Sequence, residues 1–178
     1  MRWVEKLLDL LEDESDVLEL GCGGGSPATA RLAERHRVLG VDISPRQIER
    51  ARDRVPNATF RCADVTELEL EPSSCDAVVS LYMLGHVPRP EQGPLLGSMA
   101  TWLRPGGHLL ATMGTADAAG EVDPDWLGAP MYFASFDEAE NRRLLADAGF
   151  DVLEAKVIPI EEPGHGLVSF MWILARMS

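Results

Sequence analysis

The chain has 178 residues, 46% of them hydrophobic, and a formal net charge of −13. That length suits one compact domain over 1–178, and acids spread along the whole chain repel polyanions, which argues against nucleic acid as a partner. No run of 18 apolar residues and no basic, then apolar, leader is present, so neither a membrane nor export is expected.

Trp3, Val4, Leu7, Leu8 and Leu11 recur at helical spacing and predict an opening amphipathic helix whose role is packing. Short β-branched runs then alternate with helical patterns. DVLEL, RVLGVD, ATFRCAD, CDAVVSLY and GHLLATM read as strands. Between the first two, Ser26 is placed to cap a helix that has Pro27 at its first position. Ser44 with Gln47 three residues on predicts a capping box, as does Ser135 with Glu138, which opens a helix running to Ala148 and ended by Gly149. Glu91 to Leu103 reads as a further helix, stopped by Pro105-Gly106-Gly107. The segment from Gly114 to Ala134 reads as a long connection. DVLEAKVIPI and VSFMWILAR close the chain as a hairpin joined by EEPGHG. This order predicts an α/β sandwich, mostly parallel, with one antiparallel strand.

The three cysteines, Cys22, Cys62 and Cys75, show no C-x-x-C pairing and no histidine at zinc spacing. Free thiols in a reducing cytoplasm and no metal centre are the expectation.

The chemistry concentrates at strand ends. Gly21-x-Gly23-x-Gly25 follows the first strand, where bare backbone lets the chain turn tightly against a ligand and the next helix points its N-terminus at the site. Asp42 ends the second strand, roughly 20 residues on, where a carboxylate can accept both hydroxyl hydrogens of a ribose. Asp64 follows the third. With Glu19, three acids end three consecutive strands, a crowd hostile to a pyrophosphate but suited to a ligand with ribose, amine and a sulfonium cation. A dinucleotide fingerprint also needs a glycine where this chain has Ser26.

E-x-G-x-G-x-G, spelled by Glu19 to Gly25, resembles the first motif of class I S-adenosylmethionine-dependent methyltransferases. Asp42, Asp64, CDAVVSLYMLGHVP and LRPGGHLLAT are similar to that family's later blocks, so the resemblance covers Val17 to Arg176. It implies a Rossmann-like sandwich around a mostly parallel seven-stranded sheet, with one antiparallel strand from a C-terminal hairpin. It implies S-adenosylmethionine as cofactor, S-adenosylhomocysteine as product and a small-molecule acceptor, in the manner of small bacterial enzymes that act on metabolites. The implied cofactor contacts are Glu19, Gly21, Gly23, Gly25, Asp42 at the ribose, Ile43 beside the adenine, Asp64 at the adenine amine, Val65, Ser80 and Leu81. No Asn/Asp-Pro-Pro-aromatic motif stands after strand four, which removes support for adenine or glutamine-amide methylation by that route.

His86, just past strand four, is the candidate base or ligand contact, weighed against loop packing. His36 and His108 read as structural. Tyr82, Trp126, Tyr132 and His165 are candidates to line the acceptor site. Two other readings stay open: a cofactor-binding regulatory or scaffold subunit without turnover, and a nicotinamide oxidoreductase. The acceptor, the methylated atom and the oligomeric state are not specified by these patterns.

Overall fold

The computed structural model describes residues 1–126, 128–162 and 166–178. Its main sheet has the order β3-β2-β1-β4-β5-β9-β8, with β1 Asp16–Leu20, β2 Arg37–Asp42, β3 Thr59–Cys62, β4 Cys75–Ser80, β5 Leu103–Met113, β8 Phe150–Glu162 and β9 Gly166–Met177. The first five strands are mutually parallel, and β9 runs antiparallel to both neighbours. Only β9 is therefore reversed, and the penultimate strand β8 points the same way as β1 to β5. The seven-stranded, mostly parallel expectation holds.

Strands buried on both faces explain the near-continuous apolar runs of β1, β4 and β5. Leu18, Leu20, Val78, Leu109 and Ile173 face a core closed by Leu96 and Met99 of α4 (Arg89–Trp102) and Leu145 of α5 (Glu138–Asp147). Val17, Val38, Val79, Leu110 and Trp172 face the other core, closed by α1 (Arg2–Leu8), α2 (Pro27–Leu32) and α3 (Pro45–Arg54). The result is a three-layer α/β/α sandwich. No helix among the described residues is long and apolar enough to cross a membrane.

Helix starts follow the local chemistry. The Ser26 hydroxyl accepts from Ala28 and Thr29 N–H while Thr29 returns a bond to Ser26 N–H, a full capping box before Pro27. Ser44 accepts from Gln47 N–H at 3.4 Å. α5 departs from expectation: Asp137, not Ser135, is its cap, with Oδ1 accepting from Glu140 N–H at 2.9 Å. Ser135 instead ends a strand and donates to the Ala116 carbonyl at 2.6 Å. α4 ends at Trp102, and β5 begins already at Leu103, so Pro105-Gly106-Gly107 lies inside that strand rather than in a separate stop.

The larger correction concerns 114–134. It is not a bare connection but holds a separate antiparallel pair, β6 (Ala118–Trp126) and β7 (Ala129–Ser135). AAGEVDPDW gives no apolar alternation because most of β6 faces solvent, and Pro124 sits at an irregularity between Asp123 and Trp126 where the ladder does not need its N–H.

Candidate functional site

Strand order reverses between β1 and β4, the switch point at whose carboxyl edge open α/β sheets form their ligand crevice. The glycine turn leaves β1 there, with Gly21, Gly23 and Gly25 at φ of 72°, 54° and 76°. These values favour glycine, which has no Cβ to strain the left-handed region. The three positions differ in what a side chain would meet. A Cβ on Gly21 would lie 2.5 Å from Met83 Cβ, and one on Gly25 would lie 3.1 Å from Val55 Cγ2 and 3.2 Å from Ala51 Cα of α3. Those two let the turn pack. A Cβ on Gly23 would meet nothing within 4 Å. Bare backbone at Gly23 therefore faces open space, and its N–H donates to Asp42 Oδ2 at 2.9 Å.

Three carboxylates stand at or just beyond the carboxyl ends of β1, β2 and β3, on the same edge of the sheet. Glu19 is 3% exposed, and its Oε2 has no hydrogen-bond partner among the described residues. Burial pushes its pKa up to about 7, against the opposing pull of a hydrogen bond from the Thr29 side chain. Asp42, half-buried at the end of β2, accepts from Ser44 N–H through Oδ1 at 2.9 Å as well as from Gly23. Each oxygen keeps a second lone pair. Asp64 caps a single 3-10 turn, Val65–Glu67, accepting from Thr66 N–H at 2.9 Å and Thr66 Oγ1 at 2.8 Å. Ile43 next to Asp42 is 68% exposed, a large apolar side chain left bare at the same edge, while Val65 is half-buried.

The exit of β4 supplies the facing wall. Ser80 is fully buried with an unpartnered hydroxyl among the described residues, and Leu81 packs partly against the α1-side core. Tyr82 takes φ of 56°, strained for a bulky residue. That geometry is held by the buried Thr112 of β5, whose Oγ1 accepts from Tyr82 N–H at 2.6 Å. Four residues on, His86 lies in the 3-10 turn Leu84–His86 with Nδ1 2.9 Å from the Tyr132 carbonyl oxygen of β7. A carbonyl only accepts, so Nδ1 carries a hydrogen, which leaves Nε2 as the ring nitrogen that holds the lone pair whenever the imidazole is uncharged. Phe133 meets the imidazole edge-on at 4.9 Å, and Trp126 stacks edge-on against Phe133 at 4.8 Å. The β6–β7 pair thus connects Trp126 and Tyr132 to His86, although the Tyr132 hydroxyl itself lies over Gly120. His165 lies outside the described residues. His36 and His108 have pKa values lowered by burial, and His36 is buried at the start of β2, the opposite sheet edge from the glycine turn.

Sequence reasoning missed Thr29 and Thr112, neither of which carries a motif, and weighed Met83 beside Tyr82 as pocket or packing without placing it against Gly21. Their roles arise from contacts with Glu19, Gly21 and Tyr82 that appear only once the strands are assembled.

Residues 17–107 match the family described as Methyltransferase domain. The chain belongs to this family. Among curated relatives it is 39% identical over 101 residues to 27-O-demethylrifamycin SV methyltransferase of Amycolatopsis mediterranei, covering 52% of this chain and 36% of the relative. It is 38% identical over 111 residues to a ubiquinone biosynthesis O-methyltransferase of Xanthomonas campestris, covering 58% of this chain and 45% of that one. The chain thus spans less than half the length of these relatives. Among solved structures, a SAM-dependent methyltransferase of Methanosarcina mazei superposes with a TM-score of 0.84 at 20% identity, covering 97% of this chain and 96% of that chain. That likeness concerns the fold.

Proposed function

We propose that this methyltransferase-family chain acts as a single domain, transferring a methyl group from S-adenosylmethionine to a small-molecule acceptor. One observation carries the reading: at the carboxyl edge of the sheet, bare, unobstructed backbone at Gly23 is bonded to the half-buried Asp42 carboxylate, and the buried Glu19 one turn earlier has an oxygen, Oε2, without a partner among the described residues. These groups fit the cofactor. The orphaned Glu19 oxygen suits an ammonium group, which would draw the carboxyl to its ionised form. The second lone pairs of Asp42 suit two adjacent hydroxyls, and the exposed Ile43 face and half-buried Val65 suit a flat heteroaromatic ring beside Asp64. Gly21 and Gly25 hold the turn in place, and Ser80 and Leu81 form the wall opposite.

When bound, the cofactor supplies an electrophilic methyl group for in-line displacement. The protein's part is alignment and exclusion of water. His86 Nε2 takes the proton of a hydroxyl or amine acceptor, its ring oriented by the Tyr132 carbonyl and Phe133. Tyr82, Trp126 and Tyr132 bound the acceptor side, with His165 a further candidate there. The acid-rich surface opposes nucleic acid, and relatives named for rifamycin and ubiquinone chemistry support a small molecule. Free Cys22, Cys62 and Cys75 support a cytoplasmic setting.

The test is formation of S-adenosylhomocysteine from S-adenosylmethionine across a panel of phenols, amines and carboxylic acids, read by mass spectrometry. Turnover with at least one acceptor is expected, with His86→Ala slowing it roughly a hundredfold at saturating cofactor. Cofactor binding without turnover on any acceptor would favour a regulatory subunit.

A further inference from the structure

Two concavities of about 390 and 380 Å³ open beside Asp76, Arg104 and His108 and beside Asp16 and Arg37, at the amino edge of the parallel strands, away from the glycine turn. A smaller one of about 220 Å³ lies at the carboxyl edge, between α1 and the β8–β9 hairpin. Its walls include Trp3, Lys6, Tyr82, Lys156, Ile158 and Trp172.

We infer that this cavity holds the methyl acceptor, and that the acceptor is a small aromatic molecule bearing an anionic group; the inference rests on the methyltransferase reading above. Tyr82 provides the link to the cofactor edge. It follows Ser80 and Leu81 directly, its strained backbone is held by Thr112, and its ring meets Phe170 and Trp172 edge-on at 4.9 and 5.7 Å. One residue thus borders both the β4 exit and the cavity.

The cavity's chemistry then selects a ligand class. Trp3 and Trp172 stack with centroids 5.8 Å apart and planes at 22°, and with Ile158 they make an apolar, ring-shaped floor. The rim is cationic. Lys6 and Lys156 are the chain's two lysines, and both line this cavity together with Arg2, in a protein of net charge −13. Glu154 is the acidic side chain on the wall, and it is paired with Lys6, which also lies over the Trp3 ring at 5.0 Å. Among the described residues Arg2 and Lys156 have no ion pair, so two cations face the opening without a carboxylate partner. Elsewhere the abundant acids give a field that repels anions, and this patch inverts it locally. An apolar floor with an uncompensated cationic rim recognises an aromatic anion. The volume lies below the 300–1,000 Å³ usual for drug-sized ligands, which limits the buried part to about one ring system.

The experiment observes indole N–H resonances in ¹⁵N-labelled protein with S-adenosylhomocysteine present, using 1-naphthoate and its neutral counterpart 1-naphthylmethanol as probes. Trp3 and Trp172 should shift, with or without Trp126, while Trp102 stays, and 1-naphthoate should bind at least tenfold more tightly than the alcohol. Lys156→Glu, an exposed substitution, should remove that preference, and Arg2→Glu should reduce it. Calorimetry with S-adenosylhomocysteine on the same samples separates the two ideas, because loss of cofactor binding would count against the methyltransferase reading rather than the cavity. Shifts confined to Trp126, equal affinity for both probes, an unchanged preference in Lys156→Glu, or no binding of either probe would overturn the proposal.

Discussion

Glu19 is the residue whose environment has the clearest energetic consequence. Its carboxyl holds a proton up to about pH 7 in the folded protein, against an ordinary value of 4.5. The native state therefore binds more protons than the unfolded chain between those limits, so stability on this group's account is greatest at acid pH and declines as pH rises to about 7. A displacement of that size corresponds to roughly 3 kcal/mol. Thermal unfolding of ligand-free protein should show a midpoint falling from pH 5 to 7.5, and Glu19→Gln should flatten this part of the profile; an unchanged slope in the mutant would show that the carboxyl titrates normally. The glycines should divide by role. Gly21→Ala drives a Cβ into Met83 and should lower stability, whereas Gly23→Ala has room and should cost about 1–2 kcal/mol of backbone strain while markedly weakening S-adenosylhomocysteine. Parallel thermal and calorimetric measurements distinguish the two. Glu19, Asp42 and Asp64 were legible in the sequence because each acid stands at or just beyond an apolar strand, where chain order alone brings carboxyl ends together. The different surroundings of Gly21 and Gly23 were not, since Met83 comes from the distant β4 exit.

Among the elements, the β6–β7 pair touches His86 most directly and gives the least sequence signal. Its outward face is acidic and exposed, so no alternation marks β6, and its contribution to the site is made through a backbone carbonyl, which no side-chain pattern announces. The Tyr132 hydroxyl lies where a Gly120 side chain would be, 2.2 Å from an ideal Cβ, at φ of 132°. Gly120→Val should therefore unseat β7 from His86, and the account expects a loss of turnover with cofactor affinity kept; steady-state rates beside calorimetric titration measure this, and parallel loss of both would mean the pair supports the cofactor turn instead. The start of α5 was misread for a similar reason. Ser135-x-x-Glu138 has capping-box chemistry, but pairing with β6 extends β7 through Ser135, and Asp137 takes the cap.

At the scale of the whole molecule, the order β3-β2-β1-β4-β5-β9-β8 brings the glycine turn, three acids and the β4 exit to one edge of the sheet. The alternation of strand and helix patterns predicted a mostly parallel sheet with these groups at its strand ends, because parallel strands buried on both faces admit few connections; the strand order itself was not legible. The cavity under α1 was hidden, since Trp3, Lys6, Lys156 and Trp172 meet only through the packing of the first helix on the last hairpin. A ligand that binds only the folded state at 100 times its Kd adds about 2.7 kcal/mol of stability, which for a chain of this size raises the unfolding midpoint by roughly 5–10 °C. S-adenosylhomocysteine should produce such a rise and NAD none. The most direct test of the central claim is a calorimetric titration of S-adenosylhomocysteine into the parent protein and Asp42→Ala. Loss of a pair of hydrogen bonds to a charged acceptor is worth about 1.5–3 kcal/mol. The account predicts saturable binding at one site in the parent, weakened roughly tenfold to a few hundredfold in a folded Asp42→Ala. Absence of binding in the parent, or equal affinity in the two proteins, would contradict it.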